Sequence, residues 1–172
     1  SYVTNIVEIK ADGEGLLLLH ASGQVFAMGR NTSGYLGTGR NRSELYGIDE
    51  SAPYPVAGGD MGTTYLTNAL TLAAGAQHSL AMVRHADGSH GLMAWGRNTE
   101  GQMGDNSNLA RRYPVHVMNE DNSAWLTGVV AVYAGGNSSA ALVAHTPSKQ
   151  IEDDRASASN LFYMWGGNNN YQ

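Results

Sequence analysis

Two stretches of this chain, Met28-Gly29-Arg30-Asn31-Thr32-Ser33-Gly34-Tyr35-Leu36-Gly37 and Trp95-Gly96-Arg97-Asn98-Thr99-Glu100-Gly101-Gln102-Met103-Gly104, are near copies 67 residues apart, and a third begins at Trp165-Gly166-Gly167-Asn168, 70 residues further on. Recurrence at that spacing requires one supersecondary unit used several times, each copy burying its apolar face on a neighbour. Other blocks repeat in the same order. Tyr2-Val3-Thr4-Asn5, Tyr65-Leu66-Thr67-Asn68 and Trp125-Leu126-Thr127-Gly128 precede the copies at offsets of 63 and 60, and Tyr54-Pro55-Val56 matches Tyr113-Pro114-Val115 at an offset of 59. Repeats are therefore expected at 1–63, 64–123 and 124–172, the last lacking its final segment.

Inside each repeat, short alternating runs point to strands rather than helices. The first strands are Ile6 to Ala11, Ala69 to Ala74 and Val129 to Ala134. Each is followed by a glycine turn and a second apolar run, at Leu16 to His20, Ser79 to Val83 and Ser139 to Val143. A third strand ending in Trp-Gly, a polar loop and a short Pro-Val strand complete the unit. Four short strands per repeat, with 22 glycines in 172 residues supplying the turns, predict an all-β fold. It is a partial β-propeller of four-stranded antiparallel blades with the last blade incomplete; a solenoid is the rival architecture.

Composition narrows the function. Ten Lys and Arg against fifteen Asp and Glu give a formal charge of −5, and Lys10 and Lys149 are the sole lysines, so no basic surface for nucleic acid is expected. Without cysteine there is no disulfide, thiolate metal site or cysteine nucleophile. No apolar run approaches the ~20 residues of a membrane span.

The run Leu72-Ala73-Ala74-Gly75-Ala76-Gln77-His78-Ser79-Leu80-Ala81-Met82, followed by Ala94-Trp95-Gly96-Arg97-Asn98-Thr99-Glu100-Gly101-Gln102-Met103-Gly104, resembles the repeat of the regulator of chromosome condensation family. The third repeat follows it in Tyr133-Ala134-Gly135-Gly136-Asn137-Ser138-Ser139-Ala140-Ala141-Leu142-Val143. The first departs most, with Gly15 in place of the histidine and Met28 in place of the tryptophan. The resemblance implies a ring of seven blades, of which this chain supplies fewer than three, so the open arc is expected to be completed by further repeats, a partner chain or sister subunits. Strand donation at the C-terminus is one route. Trp125-Leu126-Thr127-Gly128-Val129-Val130-Ala131-Val132 is similar to bacterial, often exported members, and a start at Ser1 rather than methionine fits processing or excision; an exported or extracellular location is therefore favoured. The resemblance also allows guanine-nucleotide exchange on a small GTPase, although no segment matches the wedge this would need.

No residue set reads as catalytic. A Gly-Xaa-Ser-Xaa-Gly elbow is missing, and the recurrent glycines lack the strand, helix and Lys-Ser/Thr of a phosphate loop. No enzyme activity, cofactor or metal is expected. His78, Trp95 and Trp165 are read as structural, pinning and filling the blades. His85, Asp87 and His90 share one hairpin, and Asp105-Asn106-Ser107-Asn108 and Asn119-Glu120-Asp121-Asn122 are oxygen-rich, but none has metal-site spacing. Function is placed in loops that differ between repeats. The insertion between Gly37 and Pro55 carries Arg40, Arg42, Glu44, Tyr46, Asp49, Glu50 and Tyr54, and the second repeat presents Arg111, Arg112 and Tyr113. Arg40, Arg42, Tyr46, Tyr54, Arg111, Arg112 and Tyr113 are the expected partner-binding residues, because Arg and Tyr anchor protein interfaces. The reading is a non-enzymatic interaction or scaffold module, with an exported bacterial adhesin or filament subunit as the alternative.

Overall fold

A computed structural model describes residues 3–11, 15–40, 49–59, 64–144 and 160–167, which form β-strands and no helix. The strands build three antiparallel sheets. The first holds β1 (Ile6–Ala11), β2 (Gly15–His20), β3 (Val25–Gly29) and β4 (Glu50–Pro55). The second holds β5 (Ala69–Ala74), β6 (His78–Arg84), β7 (His90–Gly96) and β8 (Arg111–His116). The third holds β9 (Val129–Gly135), β10 (Ser138–Ala144) and β11 (Asn160–Gly166). Chain order equals spatial order in each sheet, and the three lie side by side as an open, unclosed arc of propeller blades. No helix among the described residues is long and apolar enough to cross a membrane.

Two apolar layers hold the arc. Leu17, Leu19, Val25 and Ala27 of the first sheet pack with Leu72, Ala81, Met93 and Trp95 of the second. The opposite face of the second sheet sends Leu80, Leu92 and Ala94 into a layer with Val129, Val132, Ala141 and Val143 of the third. Because successive strand residues face opposite sides, Leu80 and Ala81 enter different layers. This is why β6 and β7 read as continuous apolar runs rather than alternating ones. Each fully buried leucine contributes roughly 1.5–3 kcal/mol. No described sheet covers the outer faces: Val7 and Ile9 of β1 are 64% and 61% exposed, and Phe162 and Met164 of β11 are 61% and 69% exposed.

Polar ties cross the first junction. The Glu8 carboxylate accepts from Thr71 Oγ1 at 2.9 Å and from the Leu72 N–H at 3.0 Å. The linkers between sheets repeat one pattern, in which the Leu66 N–H donates to Val56 O and the Leu126 N–H to Val117 O.

The expected alignment of Tyr54-Pro55-Val56 with Tyr113-Pro114-Val115 does not survive in register. Ala27 pairs with Tyr54 and Ala94 with Val115, so Tyr54 corresponds to Val115, Pro55 to His116 and Val56 to Val117. The true offset there is 61. A two-residue slip leaves every side chain on its original face, so the sequence pattern tolerates either alignment. The fourth strands carry Pro55 and Pro114. Val56 and Val117 donate their N–H groups inward, to Val25 O at 2.9 Å and Leu92 O at 3.0 Å. By alternation Pro55 and Pro114 occupy positions whose missing N–H would face away from the sheet, as proline in an edge strand must.

Candidate functional site

The repeated Gly-Arg-Asn loop is built by its asparagine and its last glycine. Asn31 and Asn98 are buried, and their Oδ1 atoms accept the N–H of Leu36 and of Met103, each at 2.9 Å. Gly37 and Gly104 both take φ +66°. Each lies under the tryptophan of the next sheet: a methyl group on Gly37 would sit 2.6 Å from Trp95 Nε1, and one on Gly104 2.8 Å from Trp165 Nε1. Trp95 is fully buried, and Trp165 donates its indole N–H to Gln102 O at 2.9 Å. Both tryptophans thus sit on the loop of the preceding sheet.

His78 is the first residue of β6 rather than part of the turn before it, and it is fully buried. Its Nε2 lies 2.8 Å from Ser139 Oγ on the third sheet. The Ser139 hydroxyl donates to Gln102 O at 2.7 Å, so its one proton is used and the imidazole must donate Nε2–H to Oγ. A serine and a histidine at this distance could act as nucleophile and base, but this serine is buried with its proton committed to a carbonyl. The pair clamps two sheets. Burial lowers the His78 pKa to about 4. Gly75 leaves the space that the ring occupies. In the first sheet the corresponding Gly15 is covered by Tyr35, whose Cε1 would lie 3.0 Å from an added methyl, so a tyrosine ring fills the place of the histidine.

Of the seven expected partner-binding residues, Arg42 and Tyr46 lie outside the described residues. The other five gather along the rim of the first two sheets. Arg40 Cζ stands 4.6 Å above the Tyr54 ring, and its Nη1 pairs with Glu50 Oε1 at 2.7 Å. The Gly39 N–H donates to Arg112 O at 2.8 Å, and a methyl on Gly34 would meet Arg112 Cγ at 2.5 Å. The two loops, distant in sequence, are therefore seated on one another. Arg111 turns inward instead. Its Nε pairs at 3.0 Å with Asp105 Oδ2, whose side chain is 5% exposed, and Asp105 also accepts from Asn98 Nδ2 at 2.9 Å. The oxygen-rich Asp105 loop is thus neutralised by an internal arginine. Tyr113 is half-buried beside it.

On the opposite ends of the strands, sequence reasoning missed an aromatic cluster. His116 stacks on Trp125 with ring centroids 3.6 Å apart and planes 9° from parallel, and His85 lies 5.7 Å from His116. The cluster borders a cavity of about 200 Å³ with Leu66, Asn68 and Met93. Burial, and secondarily His85, lower the His116 pKa. In the first sheet Pro55 and Tyr65 hold the places of His116 and Trp125, which is why no repeated motif announced the stack. The hairpin acids serve their own turns: Asp87 accepts from the Ser89 hydroxyl at 2.7 Å and backbone N–H at 2.8 Å, which lowers its pKa. No group of three metal-binding side chains occurs among the described residues.

The profile of the regulator of chromosome condensation (RCC1) repeat matches residues 22–82 and 90–142. The chain belongs to this repeat family. Each matched RCC1 segment runs from the third strand of one sheet to the second strand of the next, so the family's sequence unit contains an inter-sheet junction. The crystal structure of human WBSCR16 superposes with a TM-score of 0.58 at 23% identity over 80% of this chain. Yeast RCC1 (Prp20), in its crystal structure bound to Kap60, superposes with a TM-score of 0.56 at 21% identity over 98%. At these identities the likeness concerns the fold. This RCC1-repeat chain spans 30% and 39% of the two structures. No curated protein matches it significantly.

Proposed function

We propose that this chain is a non-enzymatic protein-interaction module that uses the joined rim loops of its first two blades. The observation that carries the reading is the seating of the Gly39 N–H on Arg112 O, which brings Arg40 and Tyr54 to the same rim as Arg112 and Tyr113. Tyrosine gives large contact area at low ordering cost, and an arginine whose guanidinium is already stacked over a ring is partly pre-organised. Arg111 leaves the expected set, because its charge is spent on Asp105. Ligands selected against the immobilised chain from a displayed peptide library should lose at least about tenfold in affinity to Arg40→Ala and Tyr54→Ala chains. Unchanged affinity in both overturns the rim.

Completion of the arc by an added strand, a partner chain or sister subunits is the second part of the proposal. It is supported by the apolar outer faces of β1 and β11, since exposed patches of this kind mark association surfaces. An exported adhesin or filament subunit would use the same two faces between copies. Sedimentation velocity separates these from a finished fold: mass rising with concentration is expected, and a compact monomer throughout overturns completion.

A further inference from the structure

We propose that the outer edge of β11 accepts an extended peptide segment with the chemistry of β8, in one register that the molecule itself displays a blade earlier. The inference deepens the completion reading above and rests on it. Ser79 pairs with Trp95 and Ser139 with Trp165, so Tyr163, Met164 and Gly166 of β11 correspond to Met93, Ala94 and Gly96 of β7. On β7 those positions pair with His116, Val115 and Arg111 of β8. On β11 no described strand follows, and a groove of about 570 Å³ lies between Met164, Trp165, Gly101, Asn106, Val117 and Glu120.

The two junctions can be compared atom by atom. Gly34 is covered by Arg112, while a methyl on the corresponding Gly101 would meet nothing nearer than Asn108 Oδ1 at 3.7 Å. The Gly39 N–H is bonded to Arg112 O; its counterpart is the N–H of Asn106. Ala94, paired with Val115 of β8, is fully buried in the layer against the third sheet, whereas Met164, with neither a described strand along the outer edge of β11 nor a described sheet over it, is 69% exposed. The groove is thus the mould of a β8-like strand. It takes an extended segment with an arginine or lysine whose stem lies over Gly101 and whose carbonyl meets Asn106. Glu120 on the groove wall complements that cation. Three residues on, an apolar β-branched residue faces Met164, as Val115 faces Ala94. Proline is accepted at outward positions, as Pro114 is in β8. Strand addition of this kind draws its affinity from main-chain hydrogen bonds and its specificity from alternate side chains.

The probe is a synthetic copy of residues 107–118, added to the full chain. In the inferred register its Val115 N–H donates to Met164 O, and the amides of Phe162 and Met164 become bonded. Hydrogen exchange should slow at Phe162 and Met164 while Leu161 and Tyr163, whose N–H groups face β10, stay unchanged. A peptide N-methylated at Val115 should bind at least about tenfold more weakly, and one N-methylated at His116, an outward position, should bind like the parent. Equal effects of the two methylations, or no slowing at Phe162 and Met164 with peptide in millimolar excess, overturn the proposal. A chain that ignores the peptide but still gains mass on concentration overturns the register alone and leaves completion standing. Arg40→Ala should not alter peptide binding, which keeps the rim and the groove separate.

Discussion

His78 enters the fold as a neutral ring, and its surroundings fix how the protein responds to acid. Burial holds its pKa near 4, while the unfolded chain titrates near 6.5. The unfolded state therefore binds more protons between these values, and stability, full above about pH 6.5, falls as pH drops towards 4 and levels off below. The loss from His78 is about 3 kcal/mol, at 1.36 kcal/mol per pKa unit. His116, lowered by burial, acts in the same direction. Urea unfolding of the wild type and of His78→Gln at pH 7 and pH 4.5 should show a smaller pH dependence in the variant. Gly37 offers a second residue-scale test. Alanine there must take φ +66° and press on Trp95, at a cost of about 2–4 kcal/mol. Gly59→Ala, with open space around it, should change the unfolding midpoint little. The importance of Gly37 was legible from the repeat; the room it leaves for an indole was not, because the two residues are 58 apart in sequence and meet across a junction.

Among the elements, the fourth strand was the hardest to read and is the most informative. The sequence announced a short Pro-Val strand, but the Tyr-Pro-Val match pointed to a register two residues away from the real one, since period-two structure preserves faces under that slip. Inward and outward positions now predict opposite outcomes for the same substitution. Val115→Pro removes an N–H aimed at β7 and should cost about 3 kcal/mol or more in thermal or urea unfolding. His116→Pro places proline where the first sheet already carries Pro55, and should lose only the ring contacts with Trp125 and His85. If both variants unfold alike, the assigned alternation is wrong. The first two strands of each repeat were foreseen nearly to the residue, each second strand starting one position earlier than expected, because clean alternation between glycine turns leaves little freedom. The ion pair of Arg111 was not legible for a different reason. Whether an arginine faces a partner or a buried Asp105 depends on a loop fold that composition does not reveal.

For the molecule as a whole, the second sheet is the keystone, packed on both faces, while the first and third each have one face that no described sheet covers. Leu80→Ala, in the layer against the third sheet, should cost about 2–5 kcal/mol by calorimetry. Phe162→Ser on the outer face should leave stability nearly unchanged and reduce association in sedimentation. The arc and its repeats were legible because four blocks recur in order. The ties between sheets, such as Glu8 to Leu72, 64 positions apart, were not, because they join residues distant in sequence through side chains that differ from repeat to repeat. The RCC1 segments, 22–82 and 90–142, have their bounds near the hairpins between second and third strands. A duplication cut at those bounds transfers the third and fourth strands of one blade with the first and second of the next, joined through the linker tie of Leu66 to Val56, rather than a finished blade. Blade number can therefore change by whole units, each carrying halves of two blades with the linker between them, and the fit of a tryptophan such as Trp95 to the Gly37 of the unit before it is remade wherever two units meet.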